Sequence, residues 1–526
     1  MALGGAQLSR LDDLTSWHAD WHGLRVAVLG LGVTGFAAAD TLAELGADVL
    51  VVAGPITAGG ISADRARLLG VIGVRLVQAD LNADPDADQG ADPAALRDLA
   101  LHRPELLVVS PGFHPDHPLL RWAARNGIPV WGDIELAWRL RDKVGPAAEW
   151  ILVTGTNGKT TTVQLTATML AAAGLRVAPC GNIGVPVLDA VRDPQGWDVL
   201  VVELSSYQLH HLSRGGPGML VPWASVCLNI ADDHLDWHGS AEAYRAAKAT
   251  VYANTRVACV YNKADASTMR MVEDADVEDG ARAIGFGLDV PGPSELGIVD
   301  GILCDRAFHE ERFETALEIT TVSELRARGL AAHHLLADIL AAAALARSFG
   351  VLPAVIHDAL EVFHLDAHRI EVVAESDGIR WIDDSKATNP HAADASLAAF
   401  ESVVWLVGGL LKGVDIDHLV ASHVGHLRGA IIIGTDREAL RDAFRRHAPR
   451  LRVFEINAQD TGQVMPDAVR LAADLAELGD VVLLAPAAAS MDQFTDYAQR
   501  GRMFAEAVRD YLGGEAGDES ASTPPA

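Results

Sequence analysis

One short stretch, residues 151–162, constrains the fold of this chain more than any other. It reads ILVTGTNGKTTT: three apolar residues, a glycine turn at 155–158, a Lys-Thr pair, and the start of a helical run over 161–173 that ends before Gly174. A strand that turns through glycines into a helix directs backbone N–H groups and the positive helix end at an anion. The stretch therefore predicts an α/β domain with a phosphate-binding loop, closed by a left-handed glycine at the helix end.

Three side chains around this loop have the chemistry of a nucleotide site. Lys159 adds a mobile positive charge, and the Thr160 hydroxyl can ligate Mg²⁺. Glu203 follows a predicted strand at 198–202, a position that often holds the metal beside such a loop. The standard loop has a further glycine where Val153 stands, so an ordinary strand–turn–helix is the alternative reading. His234, among acids at the end of a strand predicted at 224–230, either ligates metal or caps a loop.

Length and composition restrict the class of protein. The 526 residues are too many for one core and predict two to four domains. Lys and Arg total 42 against 71 Asp and Glu, a net charge of −29, which argues against nucleic acid and anionic membranes as partners. No signal-peptide pattern or membrane-spanning run is evident, and the four dispersed cysteines predict reduced thiols. We expect a cytoplasmic protein without membrane insertion, and a monomer by default.

The N-terminal region predicts a Rossmann-like domain. A strand at 25–30 leads into the G-x-G-x-x-G turn at 30–35 and a helix at 36–45, and further strands are predicted at 47–52 and 106–110. An NAD site needs an acidic residue at the end of the second strand, but Ala53 and Gly54 stand there. This disfavours an NAD-dependent oxidoreductase and leaves a site for another diphosphate ligand open. We expect a surface loop at 81–98 and a linker at 143–149.

The C-terminal region alternates strands with helices. The predicted strands are 379–383, 403–408, 430–434, 452–456 and 481–485, and the predicted helices are 390–400, 437–447, 466–478 and 499–512. This alternation indicates a parallel sheet with ligands at the carboxyl ends of its strands. We predict domains at 1–147, 148–364 and 365–513, and a disordered tail at 514–526.

Two lysines follow strands of the C-terminal sheet. Lys386 and Lys412 could hold a carboxylate and offset developing negative charge. With the phosphate loop, they indicate an enzyme that uses ATP, with bond formation favoured. A kinase or a motor ATPase would share the loop, so the residues alone leave those alternatives open.

Several longer motifs resemble the Mur ligase family over about residues 20–510. They are GTNGKTT, GNIG, ELSSYQL, the N-I-x-x-D-H-L-D-x-H run at 229–238, and Y-R-A-A-K at 244–248. The element DSKATN at 384–389, SPG at 110–112 and S-M-D-Q-F-x-x-Y-x-x-R-G at 490–501 resemble the D-glutamate-adding members. The resemblance implies an α/β fold of three domains: a Rossmann-like N-terminal domain, a P-loop-type central ATPase domain and a Rossmann-like C-terminal domain.

The same resemblance implies an activity and its reactants. D-Glutamate would be joined to UDP-N-acetylmuramoyl-L-alanine through an acyl phosphate in peptidoglycan precursor synthesis, with ATP and Mg²⁺ as cofactors. The residues implied to bind ATP are Gly155, Thr156, Asn157, Gly158, Lys159, Thr160, Thr161, Arg369 and Asp384. The implied metal ligands are Thr160 and Glu203 for one Mg²⁺, with His234 and a carbamylated Lys248 for a second.

The remaining implied residues contact the other substrates. The UDP-substrate would lie against Val33, Thr34, Ser110, Gly112, Asn182 and His234. D-Glutamate would be bound by Thr388, Lys412, Ser490 and Tyr497. Lys159, His234, Lys248 and Lys386 would be the catalytic group, with Lys386 on phosphate or a substrate carboxylate.

Three positions depart from the family pattern. Ala53, Gly54 and Pro55 replace an acidic residue and Thr-Arg that usually grip uracil. The family's H-N-x-x-N reads HHLLA at 333–337, and Tyr497 stands where Phe is usual. A paralogue that has lost catalysis is therefore a further hypothesis, which the intact phosphate and metal residues disfavour.

Overall fold

The structure is a computed structural model that describes residues 10–57, 59–81, 92–212, 216–411, 413–457 and 460–518. The described residues form two compact units. The first lies within 1–230 and 245–363, and the second within 231–244 and 364–526. Three sheets organise them, two in the first unit and one in the second. The predicted α/β class is confirmed, because most strand pairs are parallel and helices connect them.

The first sheet has five parallel strands in the order β3-β2-β1-β4-β5. This order places the glycine turn after β1 at the point where the strand order reverses, the usual ligand position in such a sheet. Its elements are β1 (Arg25–Leu29), α1 (Val33–Glu44), β2 (Asp48–Ala53), α2 (Ile61–Val71), β3 (Arg75–Gln78), α3 (Pro93–His102), β4 (Leu106–Val109), α4 (Pro118–Arg125), β5 (Val130–Gly132) and α5 (Asp133–Arg139).

The second sheet has nine strands in the order β14-β13-β12-β11-β10-β9-β6-β8-β7. Every neighbouring pair from β12 to β7 in this order is parallel, whereas the pairs β12–β13 and β13–β14 at the other edge are antiparallel. The elements in chain order are β6 (Glu149–Thr154), α6 (Lys159–Ala172), β7 (Val177–Gly181), α7 (Val187–Val191), β8 (Val199–Glu203), α8 (Ser206–His210), β9 (Ala224–Cys227), α9 (Leu235–His238), α10 (Ala241–Ala249), β10 (Ala258–Asn262), α11 (Ala266–Glu273), β11 (Arg282–Phe286), β12 (Glu295–Val299), β13 (Ile302–Asp305), β14 (Leu317–Thr321), α12 (Val322–Ala327), α13 (His333–Ser348) and α14 (Pro353–Val362).

The third sheet, in the second unit, has the order β15-β16-β20-β17-β18-β19. Its strands are parallel except β15, which pairs antiparallel with β16. Its elements are β15 (Glu371–Ser376), β16 (Ile379–Asp383), α15 (Pro390–Leu397), β17 (Val403–Gly408), α16 (Asp417–His423), β18 (Leu427–Ile433), α17 (Glu438–His447), β19 (Arg452–Glu455), α18 (Thr461–Leu475), β20 (Val481–Leu484) and α19 (Tyr497–Asp518).

One apolar core is shared by the first two sheets. It includes Trp131 of the first sheet and Trp150 of the second, with Trp138 of α5 packed edge-on against Trp150 at 5.2 Å between ring centroids. At the rim of this core, Arg192 after α7 forms ion pairs with Asp40 and Glu44 of α1. Burial of this much aromatic surface is strongly stabilising, so the two sheets support each other.

Several sequence predictions need correction. The predicted loop at 81–98 is wrong at its end, because α3 begins at Pro93; Asp92 caps it by accepting a hydrogen bond from the Ala94 N–H. Residues 82–91 of that loop lie outside the described residues. Helix α1 begins at Val33 rather than 36, and α19 continues to Asp518, into the predicted tail. Residues 519–526 are outside the described residues.

Two predictions about particular residues are confirmed. All four cysteines are free and buried, and burial raises the pKa of the Cys180 and Cys227 thiols to about 12, so neither is a thiolate nucleophile. Gly174 follows α6 with φ of 86°, the left-handed conformation expected there. In the described part of the chain, no helix has the length and hydropathy needed to span a membrane.

Candidate active site

The glycine turn after β6 has a backbone that side chains would disturb. Gly155 has φ of 151° and Gly158 has φ of 81°, and Gly158 stands at the N-terminus of α6. A Cβ on Gly158 would collide with the buried carboxylate of Asp338 on α13, and one on Gly155 would lie 3.0 Å from the Leu228 Cβ. The turn is therefore held in a fixed shape, with the N-terminus of α6 at its end.

Asn229, just beyond β9, braces the same turn. Its backbone oxygen accepts from the Thr156 N–H at 2.9 Å, and its side-chain oxygen accepts from the Asn157 N–H at 2.9 Å. Its amide nitrogen donates to the Asn157 oxygen at 3.2 Å. Asn229 belongs to the motif at 229–238, but no role could be assigned to it from the sequence, because only the pairing of β9 with β6 brings it to the turn.

Lys159 opens α6, and its ammonium lies over the turn. The Nζ atom donates to the carbonyl oxygens of Gly155 at 2.9 Å and Thr156 at 2.8 Å. Thr161, in the same helical turn, is 1% exposed, and its hydroxyl has no hydrogen-bond partner. The predicted phosphate-loop residues therefore lie together, with the cation positioned by the loop's own carbonyls.

Thr160 and Glu203 meet as the sequence predicted. The Thr160 hydroxyl donates to Glu203 Oε2 at 2.9 Å, and the Asn182 side-chain amide donates to Glu203 Oε1 at 3.1 Å. Glu203 is 2% exposed at the end of β8. A carboxylate buried this deeply needs partners, and two neutral donors leave its negative charge unbalanced. The pair has the oxygen donors that a hard divalent cation prefers.

Lys248, the other predicted metal-site lysine, is buried close to the same turn. It is 2% exposed, and its Nζ donates to the Gly155 oxygen at 2.8 Å and the Thr154 hydroxyl at 3.3 Å. The Thr154 hydroxyl in turn donates to the Leu204 oxygen at 2.8 Å. A helical lysine this buried is not an ordinary solvated surface residue.

His234 lies in the second unit. It has φ of 53°, and its N–H donates to Asp233 Oδ1 at 2.9 Å. Its Nε2 atom is 3.5 Å from Asp233 Oδ2. The left-handed backbone turns the chain into the short helix α9.

The N-terminal glycine turn surrounds a single hydroxyl. A Cβ on Gly30 would lie 2.7 Å from Ser110 Oγ, and one on Gly35 would lie 2.9 Å from it. This hydroxyl is buried and has no hydrogen-bond partner. Val33, in the same glycine turn, and Gly112, two residues after Ser110, are exposed, and Thr34 is half-buried.

Sequence reasoning missed two polar residues of the first unit. Arg65 of α2 reaches the N-terminal glycine turn and donates to the Leu31 oxygen at 3.3 Å. Asp133 is buried at the start of α5, and burial raises its pKa to about 6 although Gln208 donates to it at 2.9 Å. Neither Arg65 nor Asp133 belongs to a recognised motif. In the sequence, Asp133 is marked only by the glycine that precedes it, Gly132, and its burial depends on how α5 packs.

The DSKATN segment of the second unit folds back onto α19. The Ser385 hydroxyl donates to the backbone carbonyl oxygen of Tyr497 at 2.7 Å. The Lys386 ammonium lies 5.1 Å from the centre of the Tyr497 ring. Arg500, which is 1% exposed, donates to the Ser385 hydroxyl at 3.0 Å and to the Ser385 backbone carbonyl oxygen at 2.8 Å. The Thr388 N–H donates to the Lys386 oxygen at 2.9 Å. Lys386, Thr388 and Tyr497 are therefore ordered through one buried arginine and one serine.

The predicted adenosine-side residues lie next to this segment. Burial raises the pKa of the Asp384 carboxyl to about 6, although the Ser396 hydroxyl donates to it. The Ile370 N–H donates to Asp384 at 3.3 Å, and the Nε of Arg369 is buried without a hydrogen-bond partner.

The remaining predicted D-glutamate residues are Ser490 and Lys412. Ser490 is 4% exposed, beside the backbone bridge between Leu410 and Ala489. Lys412 lies outside the described residues.

The His368–Asp383 pair gives a pH-dependent prediction. The hydrogen bond from Nδ1 to Asp383 Oδ2, 2.6 Å long, raises the pKa of His368 above its ordinary 6.5. The pair's stabilisation is therefore fully present below about pH 6.5 and is lost as pH rises through the folded-state pKa. We expect the free energy of unfolding of the wild type to exceed that of His368→Gln most at low pH. Urea unfolding across the pH range measures this.

The exposed His364 provides the control for that measurement. His364→Gln should leave the pH dependence of unfolding as in the wild type. A His368→Gln difference that stays constant with pH would contradict the assignment of the ion pair.

Two family models match this chain. The model described as "Mur ligase middle domain" matches residues 153–346, and that described as "Mur ligase, glutamate ligase domain" matches residues 368–488. The chain belongs to the Mur ligase family. Mur ligases are ATP-dependent ligases, which agrees with the phosphate loop. The resemblance drawn from the sequence motifs is thus confirmed.

Named relatives match over nearly the whole chain. The UDP-N-acetylmuramoylalanine–D-glutamate ligase of Leifsonia xyli subsp. xyli is 66% identical over 99% of this chain and 99% of its own. The same-named protein of Streptomyces avermitilis is 52% identical over 93% of this chain and 99% of its own. That of Mycolicibacterium smegmatis is 42% identical over 93% and 97%.

Solved structures of Mur ligases share the fold. A UDP-N-acetylmuramate-alanine ligase from Thermotoga maritima superposes with a TM-score of 0.52 at 18% identity, covering 93% of this chain and 99% of its own. A pseudomurein peptide ligase type C from Methanothermus fervidus gives 0.53 at 16%, covering 93% and 100%. These neighbours have the three-domain Mur ligase fold, as the resemblance implied.

Proposed function

We propose that this Mur ligase adds D-glutamate to UDP-N-acetylmuramoyl-L-alanine, releasing ADP and phosphate, in peptidoglycan precursor synthesis. The observation that carries the proposal is the buried Thr160–Glu203 pair at the N-terminus of α6, beside the turn where Lys159 lies. The D-glutamate specificity rests on the names of relatives that match along nearly the whole chain.

In the proposed reaction an oxygen of the alanyl carboxylate attacks the γ-phosphorus of ATP. The bond from that phosphorus to the β-bridging oxygen breaks, ADP leaves, and an acyl phosphate forms. The D-glutamate amine then attacks the acyl carbon and loses a proton, and phosphate leaves as the amide forms. Lys159 and the N–H groups at the start of α6 orient the transferring phosphate and offset its charge.

Mg²⁺ fits the residues that we propose would hold it. The Thr160 hydroxyl and the Glu203 carboxylate are hard oxygen donors, and the carboxylate lacks a cationic partner among its hydrogen bonds at 2.9 and 3.1 Å. Bound there, the ion would neutralise charge on the phosphate oxygens. Asn182 fixes the orientation of the carboxylate. A second metal held with His234 and a carbamylated Lys248 stays a prediction.

The substrate contacts of the proposal follow the positions described above. Ser110, with its unpartnered hydroxyl at the N-terminal glycine turn, would take the UDP moiety with Val33, Thr34 and Gly112. Thr388, Ser490, Tyr497 and Lys412 would bind D-glutamate, and Lys386 would contact a carboxylate or phosphate. Arg369 and Asp384 would lie on the adenosine side. Monomeric state and cytoplasmic location stay predictions.

One assay tests the proposal directly. The purified chain is given UDP-N-acetylmuramoyl-L-alanine, ATP and Mg²⁺, and phosphate release is compared with D-glutamate and with L-lysine. We expect release that depends on D-glutamate. NAD reduction, measured in parallel, tests the oxidoreductase alternative. Well-folded protein that releases no D-glutamate-dependent phosphate would contradict the proposed function.

Glu203→Gln tests the proposed metal site. Glutamine keeps one oxygen that can accept from the Asn182 amide, and its NH2 group can donate to the Thr160 hydroxyl, so the fold is expected to persist, but the negative charge is gone. We expect the Mg²⁺ concentration for half-maximal activity to rise by about tenfold or more. Glu149→Gln, at the half-buried start of β6 with Arg256 as its partner, is the control and should behave as the wild type. An unchanged Mg²⁺ requirement would place the metal elsewhere.

A further inference from the structure

A cavity of about 740 Å³ lies in the second unit, at the amino ends of three parallel strands. It is lined near Ser402 before β17, at Leu427 where β18 begins, and at Arg452 where β19 begins. The proposed D-glutamate residues follow the carboxyl ends of strands in the same sheet. The seven residues of β18 alone span roughly 20 Å, so the cavity is distinct from that site.

The lining of this cavity is basic although the chain as a whole carries a net charge of −29. Its cationic and titratable side chains are His426, Arg428, His447, Arg450 and Arg452. None of the described residues that line the cavity is acidic. A cluster of cations on so acidic a chain creates a local positive potential that attracts anions.

Two of the three arginines have no acidic partner among the described residues, whereas the Nε2 atom of His447 lies 3.6 Å from Asp417 Oδ2. Among the described residues, Arg450 and Arg452 are exposed and form no ion pair. Arg428 is paired with Asp480 and Glu477 at 3.1 Å each, which holds its guanidinium in place. Two arginines are thus available for a ligand, beside one that is fixed.

We propose that this cavity binds a small anion that carries a diphosphate group. The planar guanidinium group matches phosphate oxygens in pairs, and two available arginines suit two phosphates. The volume lies in the range of small-molecule sites and greatly exceeds one phosphate ion. Val424, Leu427 and Leu451 add aliphatic wall that would cover an uncharged part of the ligand.

Hydrogen–deuterium exchange of the full chain with pyrophosphate as the probe tests this proposal. We expect pyrophosphate to slow exchange in peptides covering 424–428 and 447–452. In Arg450→Ala/Arg452→Ala the concentration for half-maximal protection of these peptides should rise roughly tenfold or more. Arg445→Ala/Arg470→Ala, which removes two charges paired with Asp442 and Asp467 on the same unit, should match the wild type.

Two further measurements make the outcome decisive. Arg450→Gln/Arg452→Gln keeps more side-chain volume and should lose protection in the same way, with an unchanged melting curve showing that it folds. Inorganic phosphate should protect the same peptides only at higher concentration than pyrophosphate. Absence of protection by pyrophosphate, equal protection in the Arg450/Arg452 variants, or equal potency of the two probes would overturn the proposal. The result does not depend on ligase activity.

Discussion

Replacing Lys159 with alanine is expected to lower the turnover number of the ligase by roughly 10²- to 10³-fold or more while leaving the fold intact. The ammonium donates to the loop carbonyls of Gly155 and Thr156, at 2.9 and 2.8 Å, and the side chain is only half-buried, so its removal opens no buried apolar cavity. In the proposed reaction, what is lost is a cation at the place where the transferred phosphate would accumulate negative charge. Initial rates of D-glutamate-dependent phosphate release, with far-UV circular dichroism as the check on folding, measure the effect.

Lys263 offers a matched control for this substitution. It lies in the same unit, but its ammonium is paired with Asp289 and Glu295 at the antiparallel side of the second sheet. Lys263→Ala should therefore retain the wild-type rate. Retention of activity by Lys159→Ala would mean that the phosphate loop is assigned to the wrong residues.

Gly408→Ala is expected to lower the free energy of unfolding by about 3 kcal/mol or more, the largest stability effect among the substitutions considered. Gly408 ends β17 with φ of 131°, a conformation that residues with a side chain rarely adopt. A Cβ there would collide with the backbone oxygen of Ile433 on β18, and a backbone oxygen cannot rotate away as a side chain can. The neighbouring strands would have to separate. Urea denaturation, read as a shift in the midpoint, measures the change.

The control for this prediction is Gly425→Ala in the same unit. A Cβ on Gly425 meets nothing within 4 Å, so its midpoint should stay close to that of the wild type. A Gly408→Ala midpoint equal to that of the wild type would show that β17 and β18 can separate there at little cost.

The sequence predicted the parallel parts of the fold better than the antiparallel parts. The strands β16 (Ile379–Asp383) and β17 (Val403–Gly408) have the predicted bounds, because buried parallel strands are apolar runs bounded by polar or glycine residues. The strands β12 to β14 were missed, since they are short, partly exposed and without clear alternation. Helix α3 was missed because its Ala- and Asp-rich start resembled a loop, although Asp92-Pro93 is a helix-start signal.

Some residues of the candidate site could be placed from the local sequence, and others could not. That Lys159, Thr160 and Glu203 lie close together could be predicted, because each has a fixed position relative to a strand end or a glycine turn, and their roles stay predictions. Asn229 and Asp338 could not, since their contacts with the phosphate turn depend on which strands and helices become neighbours. That information is carried by long-range packing, which local sequence patterns do not encode.

The single core beneath the first two sheets limits how this chain can be divided. Cutting between residues 147 and 148 would leave Trp131 and Trp138 on one fragment and Trp150 on the other, each exposing apolar surface to water. Either fragment produced alone should aggregate, and heat should melt both sheets in one cooperative transition. Exchange of the N-terminal region between homologous enzymes would therefore require matching tryptophan contacts, beyond a compatible linker.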